Sequence, residues 1–164
     1  MTAAGSTAAL VHALVDRGET VAVAESLTGG AVASALVEVP GVSAVLRGGV
    51  VAYATDLKHA LLGVDADLLV REGAVHPDVA LGMADGVRAR LGATWGLATT
   101  GVAGPDPQDG KPPGRVFVAV SGPAGSVVEQ RDLPGERDEV RATSVDAVLD
   151  LLRRALDGSV QPRA

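Results

Sequence analysis

The feature that most limits the possible folds of this chain is an alternation of short apolar runs with helical segments. A short apolar run rich in valine at residues 20–24 suits a buried strand, while 46–53 and 95–99 are predicted as a second strand and a third, central one. Helical spacing or helix-stop residues mark the stretches around them, at 8–15, 31–37, 56–62, 77–91 and 136–156. Two further runs, 115–121 and 126–133, flank a glycine- and proline-containing turn and predict a hairpin. This order predicts an α/β protein with a mixed, mostly parallel sheet and helices on both of its faces.

The length and composition of the chain fit one compact domain. It has 164 residues, of which 47% are hydrophobic and only 2% aromatic, so valine, leucine and alanine must form the core. We expect residues 1–164 to form a single domain, with residues 157–164 as a frayed tail. The N-terminal segment carries Asp16 and Arg17 and lacks a basic start, so it suits a helix better than a signal peptide or membrane span. The sequence therefore predicts a soluble, cytoplasmic protein without membrane association.

Charge and composition exclude several classes of function. The net charge of −6 argues against a nucleic-acid partner, because phosphate backbones require a basic face. The absence of cysteine excludes disulfides, thiol catalysis and cysteine-based zinc sites. The three histidines, His12, His59 and His76, do not have the spacing of metal ligands. We therefore predict no metal site, while a small anion remains possible where arginine or lysine side chains converge.

The segment 26–30, Ser-Leu-Thr-Gly-Gly, connects the first predicted strand to a helix. Such a turn exposes unpaired backbone N–H groups, which favour a phosphate or a developing oxyanion. The hydroxyl of Ser26 could project to the same point, as a nucleophile does in other hydrolases. A helix cap at Ser26 or Thr28, with glycines that serve only packing, explains these residues equally well. The segment matches neither the GxxxxGK[ST] nor the GxGxxG pattern, which disfavours nucleoside triphosphates and dinucleotides as ligands.

Tyr53 and Lys58 follow the second predicted strand. If the first two strands are neighbours, a phenol and an amine reach the same edge of the sheet as Ser26. A serine needs a base, and a desolvated, neutral lysine can act as one where these loops contain no histidine. The ordinary alternatives are a solvated lysine on a helix and a tyrosine that contributes packing alone.

A long loop is predicted at residues 100–114, dense in glycine and proline. Gly101 and Gly104 would let the backbone approach a ligand closely, and Thr100 offers a hydroxyl. Long loops in compact domains are often binding elements, although a plain surface crossover is an equal alternative.

Arg137 and Arg141 lie four residues apart at the start of the last predicted helix, on one face of it. Two guanidinium groups placed in this way could clamp a phosphate. The acidic neighbours at 136, 138 and 139 favour an ordinary salt-bridged surface instead.

Taken together, these segments resemble the C-terminal domain of the CinA family, the competence/damage-inducible proteins. The matching motifs are AESLTGG at 24–30, PGVSAVLRGGVVAYATDLKHALLGV at 40–64, EGAVHPDVALGMADGV at 72–87, ATTGVAGP at 98–105 with the following KPPGRVFVAV, and LPGERDEVRATSVDAVL at 133–149. They span nearly the whole chain, in order and at the spacing of the family. Many relatives also carry an N-terminal molybdopterin-binding-like domain, and the resemblance is to the stand-alone form.

Many members of this family are nicotinamide-nucleotide amidases, which hydrolyse the carboxamide of nicotinamide mononucleotide to nicotinate mononucleotide and ammonia. The resemblance implies a three-layer α/β/α fold with a mixed five-stranded sheet, a homo-oligomer and no cofactor. It implies a serine-lysine mechanism with Ser26 as nucleophile and Lys58 as base, beside Tyr53. The residues that match the pocket motifs of the family are Thr28, Gly29, Gly30, Thr100, Gly101 and Gly104. Arg137 matches an arginine that we assign to phosphate binding.

The chain departs from the family pattern at a few positions. Leu27 stands where cysteine is usual, Thr55 where asparagine is common, and 76–77 replaces a serine-containing helix start. Residues 106–110 alter a pocket wall, which bears on substrate preference more than on reaction type. This last change leaves open a catalytically silent nucleotide- or partner-binding module of the same fold. A DNA-associated competence role is suggested only by the name of the family, and the acidic charge counts against it.

Overall fold

A computed structural model describes residues 3–162 of the chain. Its strands are β1 (Val21–Glu25), β2 (Leu46–Val51), β3 (Trp95–Gly101), β4 (Arg115–Gly122) and β5 (Gly125–Asp132). Its helices are α1 (Ala3–Arg17), α2 (Ala31–Val37), α3 (Thr55–Leu62), α4 (Ala66–Glu72), α5 (Pro77–Leu91) and α6 (Arg137–Leu156). A short 3-10 turn, Val42–Ala44, precedes β2.

The five strands form one sheet in the order β2-β1-β3-β4-β5. Strand β1 pairs in parallel with both β2 and β3, whereas β4 pairs antiparallel with β3 and β5. Four strands therefore run in one direction and β4 alone runs in the other. This arrangement confirms the mixed, mostly parallel sheet and the predicted C-terminal hairpin.

The two faces of the sheet carry separate layers of helices. Val21 and Val23 of β1 join the buried cluster formed with α1, α2 and α6. Ala22 and Ala24 point to the other face, where the buried cluster includes residues of α3, α4 and α5. This alternation follows from the two-residue period of a strand and explains the unbroken apolar run in the sequence. The result is the expected three-layer α/β/α sandwich.

Several boundaries and one helix differ from the sequence-based prediction. Strand β2 ends at Val51 and not at residue 53, because its partner β1 ends at Glu25, which pairs with Val51. Strand β3 continues to Gly101, so the long loop begins two residues later than predicted. Helix α4 was not predicted; its seven residues are rich in charge, and their apolar spacing is too short to identify.

The two ends of the described chain pack on the same face. Leu10, Val11 and Leu14 of α1 are buried in the core, which agrees with a helix of the globular domain. After α6, the Ser159 N–H donates to the Arg154 carbonyl at 2.9 Å, and Val160 packs against the core. The last two residues of the predicted tail, 163 and 164, lie outside the described residues. Between residues 3 and 162, no helix has the length and apolar character needed to cross a membrane.

Candidate active site

Glu25, the last residue of β1, fixes the start of the candidate site. Its carboxylate is 1% exposed and accepts hydrogen bonds from the backbone N–H groups of Val32, at 2.8 Å, and Ala33, at 3.1 Å. These donors belong to the first turn of α2, where N–H groups have no partner within the helix. Glu25 therefore ties the end of the strand to the start of the helix, a role that the sequence did not define. Its carboxylate therefore binds the start of α2, where the sequence analysis had predicted a site for an anion.

Ser26 and Lys58 meet at the carboxyl edge of the parallel strands. The Lys58 Nζ atom lies 3.0 Å from the Ser26 Oγ atom, at hydrogen-bond distance. The amine also donates to the carbonyl oxygens of Ala52, at 2.8 Å, and Tyr53, at 3.3 Å. Strands β1 and β2 are adjacent and parallel, which is the condition under which the sequence predicted that Ser26 and Lys58 lie at the same edge of the sheet. This pair has the geometry of a nucleophile and its base.

The environment of Lys58 favours the neutral amine. The side chain is 0% exposed, in contrast to the solvated helix lysine that was the alternative. Burial disfavours the ammonium and lowers the pKa of Lys58 to about 8, and the negative charge of Asp109 opposes part of this shift. A lysine with this pKa is partly neutral near physiological pH, which is the state that can accept a proton.

The turn from Ser26 to Gly30 is held in an unusual backbone path. Gly29 and Gly30 have φ of 58° and 102°, a region that glycine enters without steric cost. Thr28 is fully buried, and its hydroxyl lies 2.7 Å from the hydroxyl of Thr99. The Gly29 N–H donates to the Ser26 carbonyl and is not available to a ligand. In the described chain, the N–H groups of Leu27, Thr28 and Gly30 have no acceptor.

Arg141 and Arg137 bind two different loops, although they lie one turn apart on α6. Arg141 donates from Nε to the Leu27 carbonyl at 2.9 Å and from Nη2 to the Thr28 carbonyl at 3.1 Å. Arg137 donates to the Gly104 carbonyl at 2.7 Å and to the Tyr53 hydroxyl at 3.2 Å. The Tyr53 phenol therefore contacts Arg137, and only the Tyr53 carbonyl contacts Lys58. In this arrangement the two arginines hold the walls of the site and do not form a joint clamp.

A cleft of ≈ 70 Å³ opens at Ser26. Of the predicted site residues, the structure brings Ser26, Tyr53, Thr100 and Gly101 to its surface. The others lie around it: Lys58 beneath Ser26, Thr28, Gly29 and Gly30 in the supporting turn, and Gly104 with Arg137 at the edge. Sequence reasoning missed Leu27, Ala74, Val75 and Ala103 as lining residues, whereas Gln108 belongs to the segment 106–110 that was predicted as a pocket wall. The four missed residues are apolar and resemble ordinary core positions, so the sequence carried no signal for them.

The segment after α4 forms one wall of the cleft and is fastened from two sides. The Thr100 hydroxyl donates to the Ala74 carbonyl at 2.7 Å. The Asp109 carboxylate accepts from the Ala74 N–H at 3.1 Å, and the Lys111 amine donates to the Glu72 carbonyl at 3.0 Å. The loop predicted as a pocket wall thus packs on residues 72–74 and carries a negative charge to the side of the cleft.

The cleft at Ser26 is smaller than another cavity of the molecule. A cavity of ≈ 450 Å³ lies between α3 and α4, lined by residues such as His59, Leu69 and Val70. It is mainly apolar and has no nucleophile beside a base, so we assign the site by its chemistry. Among the residues described, no group of three or more histidine, aspartate or glutamate side chains could hold a metal ion.

The family model of the CinA C-terminal domain matches residues 4–156. The chain belongs to the CinA family. A CinA-like protein of Frankia casuarinae is 55% identical over 145 residues, which cover 88% of this chain and 34% of that protein. The chain spans about a third of the length of the curated CinA relatives that it matches.

Solved structures of CinA proteins have the same fold. The competence/damage inducible protein CihA of Agrobacterium tumefaciens is 35% identical with a TM-score of 0.90, over 94% of this chain and 95% of that one. A CinA superfamily protein of Klebsiella pneumoniae is 29% identical with a TM-score of 0.92, over 96% of this chain and 99% of that one. The three-layer architecture of this CinA domain is therefore that of its family.

Proposed function

We propose that this CinA-family chain is an amidohydrolase that converts nicotinamide mononucleotide to nicotinate mononucleotide and ammonia. The observation that carries the proposal is the 3.0 Å contact between Ser26 Oγ and the buried amine of Lys58. The resemblance of the whole chain to a family rich in nicotinamide-nucleotide amidases supplies the substrate.

In the acylation step, neutral Lys58 accepts the proton of the Ser26 hydroxyl as Oγ forms a bond to the carboxamide carbon. The carbonyl oxygen becomes an oxyanion, which needs donors placed where its charge develops. The Leu27 N–H is a candidate donor, because it follows the nucleophile, has no acceptor among the described residues and belongs to a lining residue. When the intermediate collapses, the C–N bond breaks and the Lys58 ammonium returns its proton to the leaving nitrogen, which departs as ammonia.

Deacylation reverses the roles of the same groups. Lys58, now neutral, takes a proton from water as the water oxygen attacks the acyl carbon. The C–O bond to Ser26 then breaks, and the serine regains a proton from Lys58. The product acid then releases its proton to water and leaves as the carboxylate of nicotinate mononucleotide, which frees the enzyme without the need for a cofactor.

The cleft suits one end of the substrate. Its volume of ≈ 70 Å³ lies well below the roughly 300 Å³ at the lower end of pockets for drug-sized ligands. The carboxamide-bearing ring would therefore enter the cleft while the ribose and phosphate remain at its edge. Arg137 lies at that edge through its contacts with Tyr53 and Gly104, where its guanidinium could receive the phosphate.

The test is ammonia release from nicotinamide mononucleotide by wild type, Ser26→Ala and Lys58→Met. Both variants should lose at least about a thousandfold in kcat, because each removes half of the nucleophile-base pair. Ser34→Ala, a change at an exposed position on α2, is the matched control and should retain wild-type turnover. Near-normal turnover of Ser26→Ala would show that another group attacks the substrate.

A catalytically silent nucleotide-binding module is the second candidate, and it rests on the altered segment 106–110, which contributes Gln108 to the cleft. Such a module would bind the mononucleotide in a calorimeter and leave it chemically unchanged. Ammonia release that depends on Ser26 would exclude this candidate.

A further inference from the structure

Asp109 places a negative charge behind one wall of the candidate active site. Its carboxylate is held on the Ala74 N–H at 3.1 Å, and Ala74 lines the cleft together with Ser26. The neighbouring residue, Gln108, lines the same cleft. Three other charged groups near the site bind neighbouring groups of the protein: Glu25 the N–H groups of α2, Arg141 the carbonyls of the Ser26 turn, and Arg137 the Gly104 carbonyl and the Tyr53 hydroxyl.

The charge of Asp109 is not explained by its hydrogen bond or by the lysine base. A neutral asparagine in this place could accept the same hydrogen bond from the Ala74 N–H. The carboxylate also favours the ammonium of Lys58, and so opposes the neutral state that attack by Ser26 requires. A charge that neither the hydrogen bond nor the lysine base requires can still act on a ligand that binds in the cleft.

We propose that Asp109 determines specificity by favouring carboxamide substrates whose ring carries a positive charge. This inference rests on the proposed function and adds the substrate class. In nicotinamide mononucleotide the ring is a pyridinium, and the carboxamide is attached to that ring. A carboxamide bound at Ser26 therefore brings the ring cation into the cleft whose Ala74 wall Asp109 holds, and the two opposite charges attract across that wall. Because Asp109 is exposed, water and salt reduce the attraction, and we expect a preference of about 3- to 10-fold from this residue.

The test compares two substrates that differ in ring charge. One is nicotinamide mononucleotide, and the other is its reduced dihydropyridine form, which keeps the carboxamide, ribose and phosphate but has a neutral ring. The ratio of their kcat/KM values is measured for wild type, Asp109→Asn and the control Asp67→Asn, which removes a carboxylate at an exposed position on α4. Any change in the basicity of Lys58 alters both substrates alike and cancels in the ratio.

Asp109→Asn should lower the ratio of cationic to neutral substrate by about 3- to 10-fold, and Asp67→Asn should leave it at the wild-type value. An unchanged ratio in Asp109→Asn overturns the proposal. If wild type hydrolyses neither compound, the proposed function fails by itself. The ratio of calorimetric dissociation constants for the two nucleotides then decides the charge preference by the same criterion.

A measurement on wild type covers the case in which Asp109→Asn does not fold. The preference for the cationic ring should decrease as salt is raised from 0.05 to 0.5 M, because the attraction is electrostatic and partly exposed. A ratio that does not depend on salt contradicts the role of Asp109.

Discussion

The amine of Lys58 lies 3.0 Å from the hydroxyl of Ser26, and no part of the lysine side chain reaches solvent. Two backbone carbonyls, those of Ala52 and Tyr53, accept its remaining hydrogen bonds. Burial therefore lowers the pKa of this amine to about 8, and it also fixes the amine against the serine. Both effects arise from the same packing, so activity and stability should depend on pH through one residue.

The first prediction concerns the pH dependence of activity. Because the neutral amine is the base and its pKa is about 8, kcat/KM should rise about tenfold from pH 7 to pH 9 and then level off. In Asp109→Asn the rise in kcat/KM should occur at lower pH, since the substitution removes the negative charge that raises the pKa of Lys58. Steady-state ammonia release in buffers of constant ionic strength measures both profiles. A flat profile between pH 6.5 and 9.5 would exclude Lys58 as the base.

The second prediction concerns the pH dependence of stability. The folded pKa of Lys58 is lower than that of an unfolded lysine, so the unfolded state binds more protons between about pH 8 and pH 10.5. Below pH 8 the burial of Lys58 therefore has its full destabilising effect. This effect disappears as the pH rises from about 8 to about 10.5. The free energy of unfolding of wild type relative to Lys58→Met should increase by about 2 kcal/mol from pH 7 to pH 10.

Urea denaturation at the two pH values measures this difference. Lys111→Met, which removes the only other lysine, is the control; that side chain is partly exposed, so a much smaller change is expected. A difference between wild type and Lys58→Met that stays constant with pH would mean that burial does not lower the pKa of Lys58 in the folded protein.

The third prediction concerns Glu25. Glutamine has one acceptor oxygen where the carboxylate has two, so Glu25→Gln should lose one of the hydrogen bonds to Val32 and Ala33. We expect a loss of about 1–3 kcal/mol in the free energy of unfolding, together with a lower kcat because Ser26 is the next residue. Glu38→Gln, an exposed change at the other end of α2, should do neither. Wild-type stability in Glu25→Gln would contradict the anchoring role.

The fourth prediction concerns the contact between α5 and the end of α3, the helix that carries Lys58. A Cβ atom at Gly86 would lie 1.9 Å from the Leu62 carbonyl oxygen, so Gly86→Ala must push the helices apart. We expect destabilisation by about 1–3 kcal/mol or more, as in other overpacked cores. At Gly82 of the same helix the nearest atom would be 3.4 Å away, a side-chain methyl of Val64.

Gly82→Ala is therefore the matched control, and it should be neutral or gain up to about 1 kcal/mol from helix propensity. Thermal unfolding of the two variants in parallel distinguishes steric conflict from propensity. Equal stability of both variants would show that the helices separate without cost.

Much of this molecule could be predicted from residue patterns. The three strand runs, the predicted helical segments and the hairpin were correctly assigned, because strands and amphipathic helices place their apolar residues at different spacings. The family motifs also selected Ser26 and Lys58 from among many polar residues, and the structure brings these two side chains together. The amidase activity, the homo-oligomer and the lack of a nucleic-acid partner stay predictions.

The sequence by itself determined the layers, the order of the elements and the identity of the residues near the carboxyl edge of the sheet. Only the tertiary structure decided their partners: Glu25 binds α2, Tyr53 presents its carbonyl to Lys58 and its phenol to Arg137, and Asp109 fastens a wall of the cleft. The physical reason is the range of the interactions involved. Periodicity is set by neighbours along the chain, whereas the burial of Lys58 and the contacts of these side chains depend on atoms far apart in sequence that meet only when the layers pack.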